Sequence, residues 1–290
     1  MVGMTRGQKA FAVFNSIFLV LVGLTMLFPF LHVLAGSFSS GQAILQGKVT
    51  IFPVDWTVAN YQAVLSNTGI WRSFGVTVFV TAVGTFVNLV LTSLMAYGLS
   101  RPELKGRSLI LVLVLFTMIF QAPMIPSFLL VKSFGMLDTL WSLIIPSAIN
   151  AFNLIIMMSF FQNISQSLLD AAKIDGCGEY MILWKIVLPL SMASLSTIGL
   201  FYAVAHWNGY FQAVMYITDP KLYPLQLKLR QLIVESQAEQ MMLSASLTLQ
   251  SLEGIKMATI IIASLPILLV YPFIQKHFIK GSMLGSLKGM

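Results

Sequence analysis

The sequence predicts an all-α membrane protein: a polytopic bundle of six transmembrane helices with a polar, cytoplasmic elbow. Of its 290 residues, 57% are hydrophobic and 9% charged, with a mean hydropathy of +0.86. A soluble domain averages about 25% charged residues. Six stretches reach the ~20 apolar residues that a spanning helix needs. They are continuously apolar, without the period-two alternation of an outer-membrane barrel.

The six predicted spans follow one another with short inner and longer outer connections. The first follows Arg6 and Lys9, as a signal peptide would, but its length, Pro29 near its end and the lack of a small-x-small cleavage site favour a retained helix. The whole chain, 1–290, is interpreted as one transmembrane domain. Its predicted spans are 15–38, 73–99, 108–131, 140–161, 190–212 and 257–276, with an outer loop at 213–256 and a tail at 277–290.

The distribution of positive charge predicts that both termini lie in the cytoplasm, because short cytoplasmic loops carry an excess of Lys and Arg. The loops on the N-terminal side hold ten of the 17 Lys and Arg residues, in fewer positions than the opposite loops. The net charge of +7 reflects this bias and forms no clustered patch, so nothing suggests nucleic acid. The ten are Arg6, Lys9, Arg101, Lys105, Arg107, Lys173, Lys185, Lys276, Lys280 and Lys288.

Prolines interrupt several of the predicted spans. Each removes a backbone donor and bends its helix, and transporters use broken helices near their substrate paths. Proline is also common in membrane helices in general. As a set these prolines favour a moving bundle: Pro123, Pro126, Pro146, Pro266 and Pro272.

Polar residues without charge also lie in the spans, and no Asp, Glu, Lys or Arg lies deep in any of them. Ion-driven transporters typically use ionisable groups there, whereas amides and hydroxyls suit an uncharged or polyhydroxylated solute. Hydrogen bonds between helices are the alternative role for each polar residue. Asn88, Tyr202 and Gln212 belong to this polar set. The candidate substrate-pathway residues are Gln121, Asn150, Asn153, His206 and Asn208.

The segment 165–189, here called the elbow, predicts two short helices joined by a glycine stop. Ser167 and Asp170 have capping-box spacing, and Leu168, Leu169 and Ala172 share one helical face. The pair Asp175-Gly176 ends this helix, because glycine tolerates the left-handed conformation of a helix stop.

The second elbow helix is predicted at 179–187. Tyr180, Leu183, Trp184 and Val187 have the i, i+3, i+4, i+7 spacing of one apolar face, and Pro189 marks the junction with the fifth span. Periodicity alone also permits an amphipathic helix that merely rests on lipid headgroups.

The order of residues in the elbow resembles the "EAA" signature of ABC importer permeases, E-A-A-x-x-x-G followed after nine residues by I-x-L-P. The chain departs at one position, where Asp170 replaces the usual Glu. Cys177, where small residues are common, has no evident function. The resemblance identifies as ATPase-coupling residues Asp170, Ala171, Ala172, Asp175, Gly176, Ile186, Leu188 and Pro189.

Nearly the whole chain is similar to MalG-type carbohydrate permeases. The matching features are Pro29-Phe30, Trp56-x-x-x-Asn60-Tyr61, Ala96-Tyr97 with Arg101, Trp207-Asn208, Tyr223-Pro224-Leu225 and the tail Lys276 to Lys288. Within the family, Lys256-Met257-Ala258 and the ending Phe278-Ile279-Lys280-Gly281 are most similar to the branch serving complex oligosaccharides, including alginate importers.

The resemblance implies a type I ABC importer permease of the bacterial cytoplasmic (inner) membrane. Its implied partners are a second homologous permease, two cytoplasmic ATPase subunits that bind ATP and Mg, and an extracytoplasmic solute-binding protein. The elbow would act as the coupling helix, the outer loop 213–256 would reach toward the binding protein, and the tail 277–290 would lie near the ATPases.

The chain itself shows no catalytic, cofactor or metal motif. It lacks the G-x-x-x-x-G-K-[ST] loop, H-E-x-x-H and G-x-S-x-G, and it has three His and one Cys. The sequence therefore predicts a transport subunit rather than an enzyme. A stand-alone secondary transporter of small polar solutes and a membrane scaffold are the alternatives.

Overall fold

All regular secondary structure is helical in the residues that the computed structural model describes, which are 5–120, 122–232, 253–266 and 268–269. The all-α prediction is confirmed. The chain separates into two compact units, one of residues 1–70 with 229–265 and one of residues 71–228 with 266–290.

The first unit begins with the long apolar helix α1 (Arg6–Ser37), which runs through Pro29. Two short helices follow, α2 (Gly41–Leu45) and α3 (Ala59–Ser66). The Asn60 amide donates to the carbonyls of Ser37 and Ser39, at 3.0 Å each, and so fastens α3 to the end of α1. Residues 229–232 and 253–265 of this unit are also helical.

The second unit holds nearly all of α4, whose first turn contains the boundary between the units. Its helices are α4 (Thr68–Ser100), α5 (Arg107–Ile119), α6 (Met124–Ser133), α7 (Ala151–Gln162), α8 (Gln166–Ile174), α9 (Glu179–Ile182), α10 (Leu188–Leu190), α11 (Met192–Trp207) and α12 (Phe211–Tyr216). Three-residue-per-turn helices lie at Leu140–Leu143, Ile145–Ser147 and Pro220–Leu222, and a π-helical turn at Leu183–Val187.

Two described helices are long and apolar enough to cross a membrane alone, Gly7–Ser37 and Thr68–Ser100. Counting each bent helix pair as one span raises the number to five among the described residues. The predicted span 108–131 is divided into α5 and α6. The predicted span 140–161 bends by 54° between the short turns containing Pro146 and α7. A bend of 85° separates residues 179–190 from α11, so it lies at the start of the predicted span 190–212, and α11 ends at Trp207.

The remaining predictions about membrane topology concern residues at the C-terminal end. The predicted sixth span, 257–276, is helical where it is described, at 257–266 and 268–269. Pro272, the tail 277–290 and positions 233–252 of the outer loop lie outside the described residues. Six spans and a single transmembrane domain therefore stay predictions.

Candidate coupling elbow and solute cavity

The first elbow helix, α8, begins two residues earlier than the capping-box spacing predicts. Ser165 is the N-cap and makes no side-chain cap; its hydroxyl instead lies 2.7 Å from that of Ser167. The predicted capping box of Ser167 and Asp170 is therefore wrong, because both residues are already inside the helix. Asp170 is exposed and accepts a hydrogen bond from Gln166 Nε2 at 3.0 Å.

The predicted glycine stop of α8 is present. Gly176 has a φ of +82°. The N–H of Gly176 donates to the carbonyl of Lys173, and that of Cys177 to the carbonyl of Ala172, at 3.0 Å each. These two bonds form a Schellman motif, which commonly has an apolar contact at the residue after the glycine. Cys177 is that residue: it is partly buried and packs on the cluster containing Ala172.

One side of the elbow is part of the core of the second unit. Ile186 and Leu188 are partly buried against this core, whereas Asp175, Gly176 and Pro189 are exposed. The buried elbow side chains share one apolar cluster with side chains of α4, α7 and α11. The elbow members are Leu169, Ala172, Ile182, Leu183 and Val187, and the helix members include Leu99, Leu154, Phe161 and Ile198.

The opposite side of the elbow exposes large apolar side chains. Ile174 is 87% exposed, Tyr180 77% and Trp184 56%. The single apolar face predicted for the second elbow helix is therefore divided in the structure, since Leu183 and Val187 are buried whereas Tyr180 and Trp184 are exposed. The face predicted for the first elbow helix is divided as well, because Leu169 and Ala172 are buried and Leu168 is 43% exposed.

A carboxylate joins the elbow to α4. Glu179, the first residue of α9, accepts hydrogen bonds from the Tyr97 hydroxyl on α4 and, at 2.9 Å, from Lys173 Nζ on α8. The hydrogen bond to Glu179 raises the pKa of Lys173 above its ordinary value. Sequence reasoning did not assign Glu179 or Lys173 a coupling role, although Tyr97 lay within a matched family feature.

A cavity of about 510 Å³ lies within the second unit, bounded by α4, α7 and α11. Its size is within the roughly 300–1,000 Å³ of small-molecule sites. Among the described residues that line it, none is Asp, Glu, Lys or Arg. The lining consists of Asn88, Ser147, Asn150, Phe152, Asn153, Phe201, Tyr202, Ala205, His206 and Gln212.

Three of the five predicted pathway residues meet in this cavity, although they come from distant parts of the chain. They are Asn150, Asn153 and His206. Asn208 is exposed, is not among the lining residues, and donates from Nδ2 to the Val204 carbonyl at 2.9 Å. Gln121 lies outside the described residues.

Two hydrogen-bonded groups hold the cavity wall together. The hydroxyls of Thr92 and Tyr202 are 2.7 Å apart, and the Asn150 N–H donates to Tyr202 at 3.0 Å. Asn88 Nδ2 lies 3.1 Å from His206 Nε2 and donates to it in the histidine tautomer that leaves this nitrogen unprotonated. Asn88 is buried, and its Oδ1 has no hydrogen-bond partner among the described residues.

Asn88, Tyr202 and Gln212 also belong to the polar lining, and sequence reasoning placed them only in the general polar set. Ser147, a further polar lining residue, was not singled out. The available signal was the pair Asn88 and Thr92, polar positions four apart within an apolar helix, which therefore lie on one face.

Comparison with known proteins agrees with these features. Residues 88–282 match the family model of the binding-protein-dependent transport system inner membrane component. The chain belongs to this family. As such a permease, it is the membrane component of an ABC importer, with nucleotide binding on separate ATPase subunits.

Individual relatives of the permease are similar over nearly its full length. It is 49% identical to the polygalacturonan/rhamnogalacturonan transport system permease protein YtcP of Bacillus subtilis (strain 168), covering 94% of this chain and 96% of that protein. It is 47% identical to protein LplC of the same organism, covering 98% and 97%. The arabinooligosaccharides transport system permease protein AraQ of Halalkalibacterium halodurans is 26% identical over 90% and 91%.

A solved structure shares the fold of the permease. It is the crystal structure of a bacterial ABC transporter involved in the import of the acidic polysaccharide alginate. The TM-score is 0.86 at 35% identity, with coverage of 96% of this chain and 100% of that chain. The permease therefore has the type I ABC importer permease fold, as the elbow spacing predicted.

Proposed function

We propose that this permease forms half of the membrane pathway of an importer for oligosaccharides, with uronic-acid oligomers the first class to test. The cavity carries this proposal. It brings amide, hydroxyl and imidazole groups from three helices to one space without a fixed charge among the described lining residues. Such groups recognise sugar hydroxyls by hydrogen bonds.

Two of the similar proteins have names or titles that concern acidic polysaccharides, polygalacturonan and alginate. An acidic oligosaccharide needs its carboxylates compensated, because a buried unpaired charge is costly. The lining described above offers hydrogen-bond donors but no fixed cation. The proposal therefore assigns charge compensation to the second permease or to the solute-binding protein.

The proposed complex holds this chain, a second homologous permease, two cytoplasmic ATPase subunits that bind ATP and Mg, and an extracytoplasmic solute-binding protein. The exposed side of the elbow supports the ATPase contact. Ile174, Tyr180 and Trp184 are exposed apolar side chains of the elbow, and Ile174 lies one helical turn after the exposed Asp170. Exposed apolar patches mark contacts with a partner or a membrane.

The proposed location is the bacterial cytoplasmic membrane, with both termini and the elbow in the cytoplasm. The excess of Lys and Arg in the loops on the N-terminal side supports this orientation. Labelling of single cysteines introduced at Lys9 and Lys221 in intact cells tests it. We expect only the second to react with an impermeant maleimide, and the reverse result would contradict the orientation.

Reconstitution tests the proposed function. The complete complex in proteoliposomes, with ATP inside and binding protein outside, is expected to take up labelled trigalacturonate or an alginate trimer. Maltotriose serves as the neutral comparison. Uptake of maltotriose alone would contradict the uronic-acid class. Uptake by the isolated permease under an ion gradient, without ATPase subunits, would instead establish the secondary-transporter alternative.

A further inference from the structure

The Tyr97 hydroxyl makes a directional contact between a spanning helix and the elbow. Tyr97 lies one turn from the end of α4 and is 8% exposed. It donates to the carboxylate of Glu179, where the second elbow helix begins. The Arg101 guanidinium lies over the face of the phenol ring, 4.3 Å from its centroid, and helps to hold the ring in place.

The same carboxylate also holds the first elbow helix, through the Lys173 ion pair. Glu179, at the start of α9, therefore contacts both α4 and α8. The buried apolar contacts of the elbow are non-directional, so they tolerate small sliding. A charge-assisted hydrogen bond has a preferred length and direction, and it defines the position of the elbow along α4.

At the other end of the same helical stretch, α4 contacts the cavity. Asn88 and Thr92 hydrogen-bond with His206 and Tyr202. Nine residues separate Asn88 from Tyr97, which is about 13.5 Å along a helix axis at 1.5 Å per residue. At about 100° per residue the two side chains lie on opposite faces of α4. The helix itself is what connects the two contacts.

We infer that the Tyr97–Glu179 hydrogen bond is a positioning contact through which displacement of the elbow moves α4 and, with it, the cavity wall. This inference rests on the proposed function of the elbow as the ATPase-coupling segment. Tyr97 and Glu179 act through α4 and contact neither solute nor nucleotide. Without this bond, the remaining apolar contacts transmit less of the displacement of the elbow to the cavity wall.

The test uses cavity accessibility rather than solute uptake, so it does not depend on the identity of the sugar. The complete complex carries Cys177→Ser and Ala205→Cys in the permease, which leaves one thiol, in the cavity lining. The measurement is the labelling rate by a water-soluble maleimide with and without ATP and vanadate, together with ATPase copurification and ATP hydrolysis.

With the native Tyr97–Glu179 pair, ATP is expected to change the labelling rate. Tyr97→Phe and Glu179→Ala should reduce this ATP-dependent change about fivefold or more, the low end of typical coupling effects, with ATPase attachment and hydrolysis retained. Glu179→Gln should keep most of the change, because its amide oxygen still accepts the Tyr97 proton. Tyr223→Phe removes an outer hydroxyl that bonds the Thr218 carbonyl and should have no effect.

Two results would overturn the inference. One is an unchanged ATP response in both Tyr97→Phe and Glu179→Ala. The other is loss of the response in proportion to loss of ATPase attachment, which would assign the pair to folding alone. If the native complex responds to ATP but imports none of the tested sugars, the solute proposal fails and the positioning role stands.

Discussion

The imidazole of His206 lies directly against Gly84, so that a Cβ at position 84 would be 2.6 Å from His206 Nε2. His206 is buried and holds the hydrogen bond to Asn88. The glycine on α4 therefore makes room for a cavity residue of α11.

Gly84→Ala is expected to displace His206 and break its bond to Asn88, at about 1–3 kcal/mol for an overpacked site. Melting temperature of the purified permease and uptake by the complex would both fall. Gly75→Ala, in the same helix with nothing within 4 Å of its Cβ position, is the control and should be neutral or slightly stabilising. Equal effects of the two variants on melting temperature and uptake would show that the close contact between Gly84 and His206 matters for neither.

Gly176→Ala is expected to weaken the Schellman motif, because an L residue in the left-handed region costs about 1–2 kcal/mol. The expected results are a lower melting temperature and weaker ATPase copurification. Gly178→Ala is the matched control, since Gly178 has a φ of −72° and open space at its Cβ. A Gly176→Ala permease with unchanged stability and ATPase binding would contradict a conformational role for this glycine.

Asp170→Lys is expected to weaken ATPase docking about a hundredfold or more in Kd, because placing like charges together at an interface costs several kcal/mol and each 1.4 kcal/mol is about tenfold. Asp170→Asn should have a smaller effect. Glu103→Lys reverses an exposed acid of the loop after α4, outside the elbow, and is the control. Copurification of the ATPase measures the effect. Unchanged copurification with Asp170→Lys would place Asp170 outside the contact.

Asp138 anchors the segment after α12 and is expected to do so only when ionised. Its carboxylate accepts from the Thr218 hydroxyl at 2.6 Å and from the Asp219 N–H at 2.9 Å. The Thr218 hydrogen bonds lower the pKa of Asp138 below its ordinary value. A lowered pKa gives a contribution that is complete above the unfolded value, about 3.9, and is lost as the pH falls through the folded value.

Asp138→Asn should therefore speed hydrogen exchange at 217–222 at pH 7. The difference from the native chain should persist down to about pH 4, near the ordinary Asp value, and close at lower pH. Asp219→Asn, at a neighbouring acid, provides the comparison. A difference that grows on acidification would contradict the assignment.

Thr92 and Tyr202 are expected to show strong non-additivity. Tyr202→Phe leaves the buried Thr92 hydroxyl without this partner, and Thr92→Val leaves the Tyr202 hydroxyl with the Asn150 N–H. Loss of a buried partner costs about 1–3 kcal/mol, whereas removing both hydroxyls costs less than the sum of the single changes. A double-mutant cycle on thermal unfolding measures the interaction. Thr197→Val removes a hydroxyl that bonds only its own helix, to the Ala193 carbonyl, and should be additive with Tyr202→Phe.

The elbow shows which structural features can be predicted from the spacing of residues along the chain. The glycine stop at Gly176 follows from chain-local rules and is present. The single apolar face predicted at 179–187 is present only in part, because Leu183 and Val187 pack against other helices of the second unit whereas Tyr180 and Trp184 are exposed. The apolar pattern of the sequence does not distinguish the side chains that pack from those that stay exposed.

The sequence by itself determined that the chain is a helical membrane protein, and it located most of the apolar segments and the elbow. Each of these features depends on composition or on the spacing of residues within about twenty positions. The tertiary structure alone decided where helices break and which polar groups meet. Asn88 and His206 are 118 residues apart in the chain. Lipid tails are about as apolar as buried side chains, so hydropathy does not distinguish the lipid-facing side of a spanning helix from its packed side. Only packing assembles the cavity and joins Tyr97 to Glu179.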